Sequence, residues 1–205
     1  TTGDSNTAVG YAALDANTTA SNNTAIGYNS LTATTTGALN TAVGKGALEV
    51  NTTGAENTAV GASALTSNTT GTNNTSNGSG SLYANTTGTS NVAMGLNALV
   101  ANTTASNNTA VGTFALTANT TGHSNVAMGL NALNDNTTAS YNTSVGTYSM
   151  DKTTTGSSNV AVGYQALELN TTGAENAAFG YRALKENTTG PRNTAIGKQC
   201  LQNLT

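Results

Sequence analysis

A strict 17-residue period is the feature that most constrains how this chain can fold. Glycine returns every 17 residues, from Gly10 to Gly197, so the 205 residues hold twelve units and one further residue. The consensus unit is Asn-Thr-Ala-Val-Gly-Tyr-x-Ala-Leu-x-x-Asn-Thr-Thr-Gly-x-x. We number its positions 1 to 17 from the Asn, and we call the residues that share a position a column. A fixed period of this kind predicts a stack of repeating units, each burying its apolar face against the next.

The columns differ in how strictly they are filled. Column 1 is always Asn, column 5 is always Gly and column 9 is Leu except at Met150. Column 15 is Gly in nine units and Ala in three, and columns 3 and 8 hold small residues. We therefore assign structural roles to the Asn, Gly and Leu columns. Their representatives in the first four units are Asn6, Asn23, Asn40, Asn57, Gly10, Gly27, Gly44, Gly61, Leu14, Leu48 and Leu65.

Charged residues are confined to three pairs of columns. All fifteen lie in columns 6, 7, 10, 11, 16 and 17, together with all seven Tyr, Pro191 and His123. We expect these pairs to be corners that face solvent or a partner. The segments between them are then the ordered faces of each unit.

The unit favours an all-β fold, a parallel β-solenoid (β-roll or β-helix) of twelve coils. Seventeen residues are too few for a helix pair, and Thr, Asn and Gly are poor helix formers. We predict three short strands per coil, near columns 2–4, 7–9 and 12–14. With neighbouring coils about 4.8 Å apart, the rod would be about 58 Å long. Residues 1–205 form a single repeat domain, which we expect to be an uncapped segment of a longer fibre.

Stacked columns also predict how the interior is built. Asn in column 1 can form a ladder of side-chain amides, and Gly in columns 5 and 15 permits backbone conformations that a Cβ forbids. We predict that the large residues of columns 4 and 9 form the core, and that Asn77 in column 4 creates a local bend, a bound water or a soft spot. Two large apolar residues per coil make a thin core. We therefore infer an in-register homotrimer, with the small residues of columns 3 and 8 allowing chains to approach closely.

Composition argues against several functional classes. Charged residues make up 7% of the chain, and six Lys and Arg stand against nine Asp and Glu, which does not suit a nucleic-acid binder. No apolar stretch is long enough to predict membrane insertion. One Cys cannot form an internal disulfide. We expect no metal or cofactor, because His123 and Cys200 lack partners for catalysis and Glu56 and Glu175 are seven coils apart. The sequence therefore predicts a protein that is not an enzyme.

The repeat resembles those of trimeric fibres. The residues that carry the resemblance are the Asn-x-Ala-[Val/Ile]-Gly string and the Ala-Leu that follows, for example from Asn159 to Leu167. The unit is similar to the head repeats of trimeric autotransporter adhesins (YadA-like) and to the repeat shafts of phage tail fibres. This resemblance implies a rigid trimeric rod on a virion or bacterial surface, which spaces or performs attachment to a host receptor or glycan. A self-assembling extracellular filament is an alternative.

The tyrosines are the best candidates for contact with a partner. Tyr11, Tyr28, Tyr164 and Tyr181 share column 6, and exposed Tyr offers a flat apolar ring with a polar tip. They could bind a glycan or pack across a trimer seam, and both interpretations stay open.

Two Thr columns raise a further alternative, ice binding. Columns 13 and 14 form a double row of Thr, but adjacent strand residues point to opposite faces, so only one row should point outward. Column 12 also starts an Asn-Thr-Thr glycosylation sequon in nine units. Glycans spaced one coil apart would be crowded, which favours a bacterial or viral source.

Overall fold

The computed structural model describes residues 2–204 and shows a parallel β-solenoid with one short strand in each coil. All strands form one sheet in chain order, and every strand pairs in parallel with that of the next coil. Paired Cα atoms are always 17 residues apart, as for Ala110 and Ala127. The predicted parallel solenoid and its 17-residue register are therefore confirmed. The strands are β1 (Thr7–Val9), β2 (Thr24–Ile26), β3 (Thr41–Val43), β4 (Thr58–Val60), β5 (Thr75–Asn77), β6 (Val92–Met94), β7 (Thr109–Val111), β8 (Val126–Met128), β9 (Thr143–Val145), β10 (Val160–Val162), β11 (Ala177–Phe179) and β12 (Thr194–Ile196).

Only columns 2–4 are strand, so the prediction of three strands per coil was wrong. Columns 7 and 9 lie in the left-handed region, with φ of 58° at Phe114 and 53° at Leu116. Residues in that region end a strand. Two turns result instead, in which Ala115 N donates to Gly112 O and Asn119 N donates to Leu116 O, each at 3.3 Å. Columns 6 to 11 thus form a hydrogen-bonded double turn.

Columns 13 to 15 do not form a strand either, because their amides converge on one acceptor. The backbone N–H groups of Thr52, Thr53 and Gly54 donate to the carbonyl oxygen of Thr69 in the next coil, at 3.0, 3.2 and 3.3 Å. The hydroxyl of Thr52 donates to the same oxygen at 3.0 Å. In a β-sheet each backbone N–H donates to its own carbonyl acceptor. The hydrogen bonds of this corner therefore link it to the next coil without forming a sheet.

The two glycine columns serve different physical purposes. Gly112 in column 5 has φ of 136°, and a Cβ there would lie 2.5 Å from Gly129 O. Gly122 in column 15 does not have a positive φ, but its Cβ would lie 2.2 Å from Ala139 O. The predicted special conformation is therefore present in column 5. In column 15 it is absent. Close contact between backbones favours Gly there, and the three coils with Ala hold nothing larger than a single methyl group.

The apolar interior consists of columns 3, 8 and 9. Ala110, Ala115 and Leu116 of the seventh coil are completely buried. The predicted place of column 4 in the core was wrong, because strand residues alternate between faces. With Ala110 pointing inward, Thr109 and Val111 point outward. The small residues of columns 3 and 8 also lie inside the coil, so they are not where two chains would meet.

Two amide ladders complete the interior. Asn108 N donates to Asn91 Oδ1 at 3.0 Å, and Asn108 Nδ2 donates to Gly122 O at 2.9 Å. From column 12, Asn119 Nδ2 donates to Asn102 Oδ1 and to Gly122 O, both at 2.9 Å. The carbonyl of column 15 thus joins the two ladders. Buried amides cost free energy unless they are bonded, and here the ladders bond them from coil to coil.

The fifth coil keeps the geometry of its neighbours. Asn77 is exposed, and it pairs in register with Val60 on one side and Met94 on the other. The predicted soft spot assumed that column 4 is buried, and it was wrong for the same reason as the column 4 core.

Candidate interaction surfaces

The outer face of the sheet carries an apolar stripe that only the fifth coil interrupts. We define the sheet face as columns 2, 4 and 6, which point away from the core. Column 4 is apolar in eleven of twelve coils, and its side chains are partly or fully exposed, such as Met94 at 42% and Ile196 at 72%. The only charges on the sheet face are Lys45 and Lys198 in column 6. The column 4 residues are Val9, Ile26, Val43, Val60, Asn77, Met94, Val111, Met128, Val145, Val162, Phe179 and Ile196.

The dimensions of the sheet face are those of a protein interface. Twelve coils at about 4.8 Å give a length of about 58 Å, and four residue steps give a width of about 13 Å. The product, about 750 Å², is close to the roughly 800 Å² that each partner contributes to a standard interface. Contiguous apolar patches above a few hundred Å² mark interaction sites on soluble proteins.

The four column 6 tyrosines form two stacked pairs along one edge of the sheet face. The rings of Tyr11 and Tyr28 have centroids 5.2 Å apart and planes 13° apart, and those of Tyr164 and Tyr181 are 5.5 Å and 15° apart. All four side chains are exposed. Stacking covers ring faces within each pair, so the ring edges and hydroxyl groups remain most open to a partner.

Cations flank the second pair. Arg182 Cζ lies 5.0 Å and Lys198 Nζ lies 5.9 Å from the centre of the Tyr181 ring. Arg182 Nε also donates to Gln165 Oε1 at 2.7 Å. This end of the rod therefore combines aromatic rings with positive charge, which suits a polar or anionic partner.

A group of alternating charges occupies columns 10 and 11. Lys152 Nζ lies 3.1 Å from Asp135 Oδ2 and 3.1 Å from Asp151 Oδ2, and Lys185 pairs with Glu168 at 3.5 Å. Asp151 is buried, and its Oδ1 has no hydrogen-bond partner among the described residues. Burial raises the pKa of Asp151, while Asp135 and Asp151 raise the pKa of Lys152 by accepting its hydrogen bonds.

The Thr corner has one exposed row. Thr104 in column 14 is exposed, whereas Thr103 in column 13 is half-buried and its hydroxyl donates to Thr120 O at 3.3 Å. The same side-chain contact recurs along column 13. One Thr row is thus engaged in binding the next coil, and the other faces solvent.

The residues assigned structural roles lie where columns 1, 5 and 9 require. Asn23, Asn40 and Asn57 each donate a backbone N–H to the Oδ1 of the preceding Asn, beginning at Asn6, at 2.9, 2.9 and 3.0 Å. Gly10, Gly27, Gly44 and Gly61 have φ between 132° and 141°. Leu48 and Leu65 are completely buried and Leu14 is 9% exposed.

His123, Cys200 and Glu175 contact different neighbours in the structure. His123 is exposed and packs edge-on against Tyr141, with ring centres 4.9 Å apart. Cys200 is half-buried against the core, and Glu175 pairs with Arg192 at 2.8 Å. No group of three or more His, Cys, Asp or Glu able to hold a metal is found in this range.

The column 12 sequons are internal. Asn51, Asn102 and Asn119 are completely buried, and their amides bond neighbouring coils. Eight of the nine sequon Asn side chains are buried, and a coil that buries this Asn has no room for a glycan on it. Burial of the acceptor Asn therefore argues against glycosylation more strongly than the crowding of neighbouring glycans does.

Comparison of the chain with protein-family models, with curated proteins and with solved structures finds no match. No helix in the described part of the chain is long and apolar enough to span a bilayer.

Sequence reasoning missed the sheet face as an exposed surface. The only hint is that column 4 must share a face with the mostly polar column 2, opposite Ala in column 3, and three residues are too few for this alternation to stand out.

Proposed function

We propose that this protein is a structural and adhesive fibre segment whose copies assemble side by side through the sheet face. The observation that carries the proposal is the line of eleven apolar side chains along column 4, of which seven are exposed and four are half-buried. Water contact along such a stripe is unfavourable, and a second copy presents a stripe of the same length and spacing. The rod then serves as a stiff spacer on a virion tail fibre or a bacterial cell surface.

The assembly we propose is an in-register homotrimer. The strand is three residues wide, so each chain presents a narrow ridge centred on column 4, with columns 2 and 6 at its flanks. Three ridges around one axis bury column 4 at the centre and let columns 2 and 6 contact two different neighbours. A pairwise sandwich of such narrow sheets would leave more of the flanks in water.

Stiffness follows from the links between coils. Backbone hydrogen bonds and two amide ladders join each coil to the next, and the ladders run through the interior, where water does not compete for them. Resistance to bending is the property that a spacer needs. Column 6 flanks the proposed contact between chains, so we propose that the tyrosine edges and hydroxyl groups lie at the outer rim of that contact, where they can bind a host receptor or glycan.

The assembly is tested by placing a charge in the stripe. Val111→Asp puts a carboxylate in the centre of the sheet face, whereas Thr104→Asp puts the same carboxylate on the exposed Thr corner. Mass photometry should give three chains per particle for the native protein and for Thr104→Asp, and one chain for Val111→Asp. A native protein that remains a single chain would refute the proposal.

Adhesion is tested separately from assembly. Tyr164→Ala combined with Tyr181→Ala should weaken binding to host cells or to arrayed glycans at least tenfold while the particle mass stays at three chains. Tyr83→Ala, which removes an exposed Tyr from column 10, is the matched control. Equal binding by the double variant and the control would assign these rings to the seam instead.

The two alternatives predict different behaviour. An extracellular filament would show open-ended lateral or axial growth in electron micrographs rather than particles of fixed width. Ice binding would give thermal hysteresis in the purified protein. The hydroxyls of column 13 donate to backbone carbonyls, which leaves a single outward Thr row and supports the fibre over ice binding.

A further inference from the structure

The fifth coil is the only one whose sheet face is wholly polar. Thr75, Asn77 and Ser79 occupy its columns 2, 4 and 6, and Asn77 is the one polar residue of column 4. Its side chain is exposed, and its register partners on the two sides are Val60 and Met94. A single amide therefore interrupts an otherwise apolar stripe, at a position where a Val would fit the fold equally well.

A repeating stripe has a register problem that this amide can solve. Every coil presents nearly the same shape, so two copies can slide by one coil, about 4.8 Å, and still place apolar residues against apolar residues. Only the fifth coil distinguishes the alignments. In register, Asn77 lies against Asn77, and after a slip it lies against Val60 or Met94.

We propose that Asn77 fixes the register in which copies of this chain assemble, by pairing with Asn77 of its neighbours. The inference rests on the proposed association through the sheet face. A side-chain amide has two donors and a carbonyl acceptor, so amides that meet can bond each other. An amide enclosed by Val or Met has no such partner and is penalised. One buried Asn specifies register in coiled coils by the same physics.

The same residue distinguishes parallel from antiparallel assembly. If two copies ran antiparallel with full overlap, the fifth coil of one would meet the eighth coil of the other. Asn77 would then be buried against Met128. Parallel, in-register assembly is the arrangement with full overlap that brings the amides together.

Cross-linking between copies reads the register directly. In a Cys200→Ser background, V111C and M128C chains are prepared separately, mixed, denatured, refolded together under reducing conditions and then oxidised, because a disulfide cross-link forms only between Cα atoms within about 7 Å. With Asn77 present, V111C chains should cross-link to one another, and cross-links between V111C and M128C chains should be at least fivefold rarer. With N77V on both chains, the mixed cross-links should rise at least threefold. Val already occupies column 4 in six coils, so N77V should fold normally.

Moving the amide should move the register. Chains with N77V and M94N carry their Asn one coil later, so mixing them with native Asn77 chains should favour a one-coil offset. V111C on the native chain should then cross-link to M128C on the shifted chain more than to V111C on that chain. This gain of a new alignment cannot result from simple loss of stability.

Particle mass is measured first, so that failure of the proposed assembly can be distinguished from failure of the register proposal. Single chains in the native protein would refute the proposed assembly and the register proposal with it. Assembled particles with the same cross-link pattern in native, N77V and shifted chains would refute the register proposal alone. Cross-links between V111C and M94C chains that exceed those between V111C and M128C chains would indicate antiparallel packing and would also overturn it, because a parallel slip by one coil would raise both.

Discussion

Asn108 and Asn125 are joined by a double hydrogen bond between successive coils. The Oδ1 of Asn108 accepts from Asn125 N at 3.0 Å and from Asn125 Nδ2 at 3.2 Å. Both side chains are completely buried. Such an interaction differs from a surface hydrogen bond, because removing one partner leaves a buried donor with neither protein nor water to bond.

Asn108→Ser is therefore expected to lower the free energy of unfolding by about 3 kcal/mol, from unbonded donors and a small cavity. Asn107→Ser is the matched control, since Asn107 is exposed in column 17 and Ser occupies that column in other coils. The control should change stability by less than about 0.5 kcal/mol. Urea denaturation followed by circular dichroism compares the two, and equal effects would contradict the ladder's importance.

Gly112→Ala should be among the most damaging small substitutions in the chain. It combines a φ of 136° with a Cβ that would lie 2.5 Å from the Gly129 carbonyl oxygen. Strain and overpacking together predict a loss of about 4 kcal/mol in thermal or chemical unfolding. Gly46→Asn should be neutral within about 1 kcal/mol, because Gly46 has φ of 65° and Asn already occupies its column elsewhere. Tolerance of Ala at Gly112 would show that coils separate easily.

Leu116→Ala tests the apolar core. The side chain is completely buried among its stacked neighbours, so its truncation should cost about 3 kcal/mol of unfolding free energy. Leu169→Ala removes the same atoms from column 11, where the side chain is exposed and Ala occurs in other coils. The Leu169 variant should unfold within about 1 kcal/mol of the native protein. Similar losses in both variants would refute the burial difference.

Asp151→Asn should stabilise the protein at neutral pH. Burial raises the pKa of Asp151 above its unfolded value, so the folded state favours the protonated acid. That contribution is fully present below the unfolded pKa and is lost as the pH rises through the folded pKa. The amide should therefore raise the free energy of unfolding at pH 7, and this gain should shrink as the pH falls through the folded pKa and disappear below the unfolded pKa.

Asp135→Asn provides the control for that pH experiment. It also removes a carboxylate from Lys152, but its side chain is 39% exposed. It should lower stability by at most about 1 kcal/mol. Chemical denaturation at several pH values measures both variants, and a loss of stability in Asp151→Asn at pH 7 would contradict the prediction.

The sequence identified the stack but not the path of each coil. The strict period predicted the parallel solenoid, the amide ladder from Asn6 onward and the buried Leu column. It did not reveal that Leu116 has a left-handed φ, because Leu disfavours that region and here neighbouring coils impose it. The double turn follows from packing rather than from local preference.

The sequence also failed to predict that the side chains of column 4 point outward, for a related reason. Val111 has the composition of a core residue, and three residues are too few for alternation to stand out. Gly122 likewise looked like a residue with a special φ, but its column is restricted by the carbonyl of the next coil. Contacts across the stack determine all these features, and a pattern read along one coil does not contain them.

Each strand of this protein contacts only the strands immediately before and after it. Adding or deleting 17 residues therefore changes the length of the rod by one step of about 4.8 Å and leaves every other coil in its own environment. Gene duplication could adjust the reach of such a rod in equal increments without redesigning a core. The length of the rod is therefore set by the number of coils, and each coil is marked in the sequence by one column 5 Gly.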